Sequence, residues 1–437
     1  MPDVYEIVNA TQLNSDLEDV ADAIRAKSQG QDPLLFPSEF ISEIGSIPTG
    51  ASITGATDIT VKALETITQG DTLYIYKAMQ TLFAPNTLPS GNGKGCAFSS
   101  NGTRFAIAHE TTPYISIYDT TTIPYTKLTN PGTLPAGTGN GCAFSPDGTR
   151  LAVAHNASPY ITIYDTTTTP YTKLTNPGTL PTGAGNGCAF NPDGTRLAVG
   201  HSVSPYITIY DTTTTPYTKL TNPGTLPAAS GYGCAFSPDG TRLGVVYNSS
   251  PYITIYDTTT TPYTALTNPG TLPTGNAFGC AFSSDGTRLA VGHNASPNIT
   301  IYDTTTTPYT KLTNPETRPA GTGKGCAFSP DGTRLAVAHS YSPYITIYDT
   351  TTTPYTKLTN PGTLPTGNGN GCAFSPNGTW LAVAHNTSPF TTIYNMSGQT
   401  QASKGLNKSR SGIGIYGYAK SSIASGSTGT AAVLFEP

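Results

Sequence analysis

"SPDGTRLAVAHNASPYITIYDTTTTPYTKLTNPGTLP" (residues 145–181) returns almost word for word along most of the chain. One cysteine marks its phase. Cys96, Cys142, Cys188, Cys234, Cys280, Cys326 and Cys372 follow one another at 46-residue intervals without an insertion. A fixed period of a few tens of residues means supersecondary units that bury their apolar faces only by stacking on copies of themselves. Four strands are legible in one unit: "GCAFS" (141–145), "RLAVAH" (150–155), "YITIYD" (160–165) and "YTKLT" (171–175). Each is short and rich in β-branched or aromatic residues. Between them lie "PDG", "NASP", "TTTTP" and "NPGTLPTGAGN", all strong turn chemistry. Four strands in a unit of this size is the arithmetic of a propeller blade.

The first three strands recur seven times, the last as "GCAFS", "WLAVAH" and "FTTIYN" within 371–395. The fourth strand is missing at that end and reappears at the other, in "MQTLFAPNTLP" (79–89). Ala84-Pro85 and Thr87-Leu88-Pro89 stand one period ahead of Asn130-Pro131 and Thr133-Leu134-Pro135. The expected fold is therefore mainly β, a seven-bladed β-propeller over 78–396 closed by an N-terminal strand, so that no sheet edge stays open. The run "AFSPDGTRLAVAH" followed by "ITIYD" resembles WD-repeat propellers, with Tyr-Asp in place of Trp-Asp. That resemblance implies a fold and no particular activity.

The flanks differ in kind. Residues 1–49 read as a helical N-terminal module: Leu13, Leu17, Val20 and Ile24 share one helical face, and Ser15 with Glu18 forms a candidate capping box. "ITVKALETITQGDTLYIYK" (59–77) and "GIGIYGYAKSSIASGSTGTAAVLFE" (412–436) each alternate and turn, and neither has enough strands to stand alone. They are read as two parts of one small β domain into which the propeller is inserted, 50–77 and 397–437, the second beginning with a linker over 397–411. "ADAIRAKSQGQDPLLFPSEFISEI" is similar to N-terminal modules of virion proteins from phages of Gram-positive bacteria. "GYAKSSIASGSTGTAAVLF" is similar to small β-rich virion domains, head-decoration proteins among them.

Charged residues make up only 11% of the chain, against roughly a quarter in average proteins. The net charge is −4 and the cations are scattered, so no nucleic-acid footprint is visible. No apolar run is long enough for a membrane helix, and the N-terminus does not read as a secretory signal. Release by lysis is the expected route out of the host cytoplasm. Equivalent cysteines should lie beyond disulfide reach, about 7 Å between Cα atoms, and are read as small buried apolar groups.

Six histidines share one repeat position, His109, His155, His201, His293, His339 and His385, with Tyr247 in the remaining copy. Each ends a second strand beside a polar turn, and together they form a candidate ligand-binding face around the channel mouth, with Tyr160 and Tyr206 as candidate stacking surfaces. The competing reading has each histidine satisfying groups of its own blade. Asp147 and Arg150 of "PDGTR" are read as turn residues that pair. Trp380, the only tryptophan, is read either as a contact with the small β domain or as drift. The Asn-X-Ser sequons at Asn156, Asn294 and Asn386 are read as by-products of turn chemistry.

No catalytic constellation, cofactor motif or metal motif stands out, and seven near-copies favour avidity over one reactive site. The resulting expectation is a non-enzymatic virion structural protein at a tail tip, baseplate or fibre. It displays the propeller for non-covalent attachment to a host-surface glycan and contacts other virion proteins, as a homotrimer by the habit of such proteins. A capsid decoration without a ligand and a glycan-cleaving enzyme are the alternatives.

Overall fold

In a computed structural model, residues 84–396 are described in full, together with the backbone of strands Ile59–Lys62, Thr72–Tyr74, Thr81–Phe83, Ile415–Ala419 and Thr428–Phe435. The readings made for residues 1–49 lie outside the described residues. The chain divides into two compact units, Met1–Lys77 with Thr400–Pro437, and Ala78–Gln399. In the first, the four described strands form an antiparallel sheet in the order Ile59–Lys62, Thr428–Phe435, Ile415–Ala419, Thr72–Tyr74.

The second unit is a seven-bladed propeller. Blade 2 shows the pattern: Gly139–Phe144, Arg150–His155, Ile161–Asp165 and Thr172–Lys173 pair antiparallel in chain order. The inner strand starts two residues earlier than its sequence suggests, because Gly139 and Gly141 go on pairing with His155 and Ala154 across a bulge. It stops at Phe144, where Ser145 turns its hydroxyl to Asp147. The outer strand is only two residues long. Blade 7 takes its outer strand from the other end of the unit: Thr81–Phe83 pairs with Thr391–Asn395.

The alternation Leu-Ala-Val-Ala in each second strand decides how blades stack. Leu151 and Val153 project to one face and Ala152 and Ala154 to the other, and both faces are fully buried. The large face of blade 2, with Tyr164 and Tyr171, packs on Ala106, Ala108, Ile115 and Ile117 of blade 1. Blade 3 repeats this against blade 2 with Leu197, Val199, Tyr210 and Tyr217. Each buried Leu or Val contributes about 1.5–3 kcal/mol, so the seams carry the stability of the wheel.

At the axis the inner strands meet backbone to backbone. A Cβ placed on Gly95 would lie 3.1 Å from Gly141 Cα, one on Gly141 would lie 3.2 Å from Gly187 Cα, and one on Gly371 would lie 3.2 Å from Gly95 Cα. The third-position glycines thus close a ring in which every member abuts the next, and any side chain there would pry two blades apart.

The seam between blades 7 and 1 departs from the others. Elsewhere an arginine opens the second strand, whereas blade 7 has Trp380. Its ring meets Tyr125 of blade 1 edge-on, 6.3 Å between centroids at 77°. Phe105, where the other blades have leucine, and Phe98 complete the cluster. Trp380 therefore belongs to the seam that shuts the wheel.

Candidate functional site

The turn after each second strand and the loop entering the same blade share one rim. Asn156 N–H donates to Thr138 O at 3.2 Å, Ser202 N–H to Ala184 O at 3.0 Å and Asn294 N–H to Asn276 O at 3.0 Å. Hydroxyls add further ties: Thr182 Oγ1 donates to Ser204 O at 2.8 Å and Thr366 Oγ1 to Ser388 O at 2.7 Å. The third-strand tyrosines hold the entering loops from beneath, Tyr164 Oη donating to Thr133 O and Tyr210 Oη to Thr179 O, both at 2.9 Å. The rim is thus preformed. Asn156, Ser158, Ser204, Ser250, Thr387 and Ser388 are exposed on it, with Val203 and Tyr341, the latter 67% exposed.

The turn itself needs an uncommon backbone. Tyr114, Tyr160, Tyr206, Tyr252, Asn298, Tyr344 and Phe390 all have φ between 65° and 67°, a left-handed conformation rare for bulky residues. It points the carbonyl of Tyr160 back to the N–H of His155 at 3.0 Å, while Tyr160 N–H reaches Ala157 O at 2.7 Å. Tyr160 and Tyr206 are half-buried in this corner.

The histidine ring is not a ligand face. His109, His155, His201, His293, His339 and His385 are 0% exposed and Tyr247 is 1% exposed. Each histidine turns into its blade and sets Nε2 2.9–3.0 Å from a third-strand hydroxyl, Ser116 for His109 and Thr162 for His155. Tyr247 does the same with its own hydroxyl, 2.8 Å from Thr254. The expectation failed because the residue that ends the strand points inward while its neighbour, such as Asn156, points out. Burial lowers the histidine pKa values to about 4, so these rings are neutral hydrogen-bonding struts at neutral pH.

On the opposite face Asp147 shapes its turn as expected, accepting from Ser145 Oγ at 2.5 Å and from Thr149 N–H at 3.0 Å, with Gly148 at φ 71°. Its arginine pairs elsewhere. Arg150 Nη1 lies 3.7 Å from Asp165 at the end of the third strand, and Arg196 lies 3.4 Å from Asp211. Asp165 is held below the usual carboxylate range first by the Thr167 hydroxyl.

The seven cysteines are free thiols. The inner strands run closer together than expected, yet Cys142 Sγ turns to Ala106 O of the preceding blade, 3.7 Å away, and burial pushes its pKa up to about 12.

One ring escaped the sequence reading. Two residues before each cysteine, at the channel mouth, stand Lys94, Asn140, Asn186, Tyr232, Phe278, Lys324 and Asn370. All of them except Lys324 line a cavity of about 180 Å³, together with glycines and cysteines of the inner strands. Asn140 Nδ2 donates to Gly185 O at 2.9 Å, Asn186 Nδ2 to Gly231 O at 2.9 Å and Asn370 Nδ2 to Gly93 O at 2.8 Å, each reaching the next blade. Tyr232 and Phe278 pair at 5.2 Å. Lys324 Nζ donates to Asn370 Oδ1 at 2.8 Å. The signal was present in the sequence: aligned on their cysteines, the repeats carry lysine, asparagine, tyrosine or phenylalanine in this column.

Solved structures similar to the chain include Kuenenia stuttgartiensis hydrazine synthase, 17% identical with a TM-score of 0.58 over 72% of this chain and 99% of that one. They also include the Cps50 (Swd1) β-propeller domain of Myceliophteria thermophila, 14% identical with a TM-score of 0.54 over 71% and 98%. The likeness is one of fold. No family model and no curated protein matches the chain.

Proposed function

We propose that the chain is a non-enzymatic display protein of a phage virion whose propeller rim attaches to a repetitive polymer, a host-surface glycan. The observation that carries this reading is the rim itself. Exposed residues, mostly Ser, Thr and Asn, recur from blade to blade on one face, and in six of the seven blades a backbone hydrogen bond ties the two loops that form it. A rigid polar surface repeated around an axis loses little entropy on binding, and weak sites on one body add through effective concentration. The sequence resemblance of the N-terminal segment and of the C-terminal β segment to phage virion proteins supports the provenance.

The test is gold-labelled antibody against the propeller on intact particles, paired with binding of the purified chain to host cells. Label at the tail tip and saturable cell binding, competed by soluble wall polysaccharide, are expected. Label over the head without cell binding would make the chain a capsid decoration, and unlabelled particles would refute the virion reading.

A further inference from the structure

We propose that the channel mouth is a single asymmetric binding site for an acidic sugar unit, its anionic group held by Lys324 and Lys94 and its ring face set against Tyr232 and Phe278. This inference rests on the glycan reading above and names the class of sugar.

The repeat supplies the argument. Asparagine at this position spans the blade boundary, as in blades 2, 3 and 7, and that bond contributes to the closure of the wheel. Four blades give up the asparagine, and they do so in two groups. Blades 4 and 5 are neighbours and carry Tyr232 and Phe278. Blades 6 and 1 flank blade 7 and carry Lys324 and Lys94, with Asn370 between them. The cavity is therefore lined by Tyr232 and Phe278 on one side and by Lys94 and Asn370 on another, and Lys324 stands at its edge, hydrogen-bonded to Asn370.

Only one of the two lysines is paired with a carboxylate. Lys94 lies 3.8 Å from Glu110, and that carboxylate also accepts from Asn92 Nδ2 at 2.6 Å. Lys324 has no carboxylate within 4 Å among the described residues, and its Nζ meets only the neutral amide of Asn370. An ammonium group half-buried without a counter-charge is costly unless an anion completes it. Burial, and then the charge of Lys94, lower the pKa of Lys324, as two cations at one mouth require.

Size narrows the ligand. About 180 Å³ is room for roughly six water volumes at about 30 Å³ each. That accommodates one sugar ring or one small anion, so a polymer would place one of its units there. Aromatic faces complement the C–H face of a sugar, and lysine complements its carboxylate or phosphate.

The experiment is titration calorimetry of the full chain with glucuronate, glucose and inorganic phosphate. One glucuronate per chain is expected, with glucose and phosphate each weaker because each engages one arc only. Lys324→Asn and Phe278→Asn restore the residue that blades 2, 3 and 7 carry, so the fold accommodates both. Lys324→Asn should weaken glucuronate roughly 10-fold or more, and Phe278→Asn should weaken glucuronate while sparing phosphate. Phosphate binding as tightly as glucuronate would reduce the site to one for free anions and overturn the sugar assignment. Absence of saturable binding, or binding unchanged in Lys324→Asn, would overturn the site itself. Cell binding separates the two readings. Cells bound equally by wild type and Lys324→Asn would leave attachment standing and refute this site. Glucuronate bound by a chain that ignores cells would do the reverse.

Discussion

Acid should open the propeller through its histidines, and the window follows from their environment. The six rings are wholly buried and neutral, with pKa values lowered from 6.5 to about 4. In the unfolded chain they titrate near 6.5. A base whose folded pKa is depressed leaves stability intact above the unfolded pKa and drains it as pH falls toward the folded one. At pH 5 each ring is protonated in the unfolded chain and still neutral in the folded one, a loss of about 2 kcal/mol. Six rings together forfeit ~12 kcal/mol, comparable to the whole stability of an ordinary domain, and half that amount is enough to bring the transition into view. Carboxylates such as Asp147 and Asp165, held below their usual range, add a loss only under about pH 4, so the interval from 6.5 to 4.5 belongs to histidine. The assay is urea unfolding followed by circular dichroism at half-unit pH steps. The slope near pH 5 should approach ~8 kcal/mol per pH unit, the signature of six protons. His155→Tyr, copied from Tyr247 and its 2.8 Å bond to Thr254, should remove one proton's share, about 1.4 kcal/mol per unit. A stability that stays flat between pH 7 and 5, or ring protons titrating near 6.5 in the folded chain, would refute the reasoning.

Other outcomes follow from the seams and the axis. Gly141→Ala should destabilise by ~1–3 kcal/mol, because its Cβ meets Asn186 O and Gly187 Cα at 3.2 Å. Gly178→Ala, with nothing within 4 Å, should be neutral or stabilising by under ~1 kcal/mol, and thermal unfolding of the two variants side by side checks the contrast. Trp380→Ala should cost about 1–3 kcal/mol through the lost contact with Tyr125, and chemical denaturation would show a smaller change if the tryptophan were not part of the seam. Thiol alkylation of the native chain at pH 8 should run roughly a thousandfold slower than in denaturant, since burial raises Cys142 from 9.0 to about 12. Rapid labelling before unfolding would contradict that placement.

The architecture was legible because it depends on what a one-dimensional pattern carries. The 46-residue phase, the turn residues and the large-small alternation of "LAVA" are local, and the displaced strand at 81–83 follows from counting. The inner-strand boundaries were not legible, because Gly139 and Gly141 look like turn residues until a neighbouring backbone is seen lying where their side chains would be. The histidines misled for a related reason. A polar residue at a strand end reads as rim, and only the third dimension shows Thr162 waiting inside. Arg150 likewise seemed to belong to Asp147, its neighbour in sequence, when register sets it opposite Asp165.

Sameness and difference therefore carry different information in this chain. Where all seven copies agree, packing is sufficient cause: the third-position glycines must touch across the axis, the cysteines fill the space against the preceding blade, and the histidine or tyrosine must find its hydroxyl. Such positions would look alike in a propeller of any purpose, and the histidine ring, the most regular polar feature of the sequence, turned out to be interior. The column at Lys94, Asn140, Asn186, Tyr232, Phe278, Lys324 and Asn370 answers to a weaker structural demand, since a lysine or an aromatic ring is accommodated where asparagine bridges elsewhere. Random drift would scatter its substitutions around the wheel. Instead like residues stand in adjacent or nearly adjacent blades, and that grouping is what a ligand with one charged end and one ring face would select.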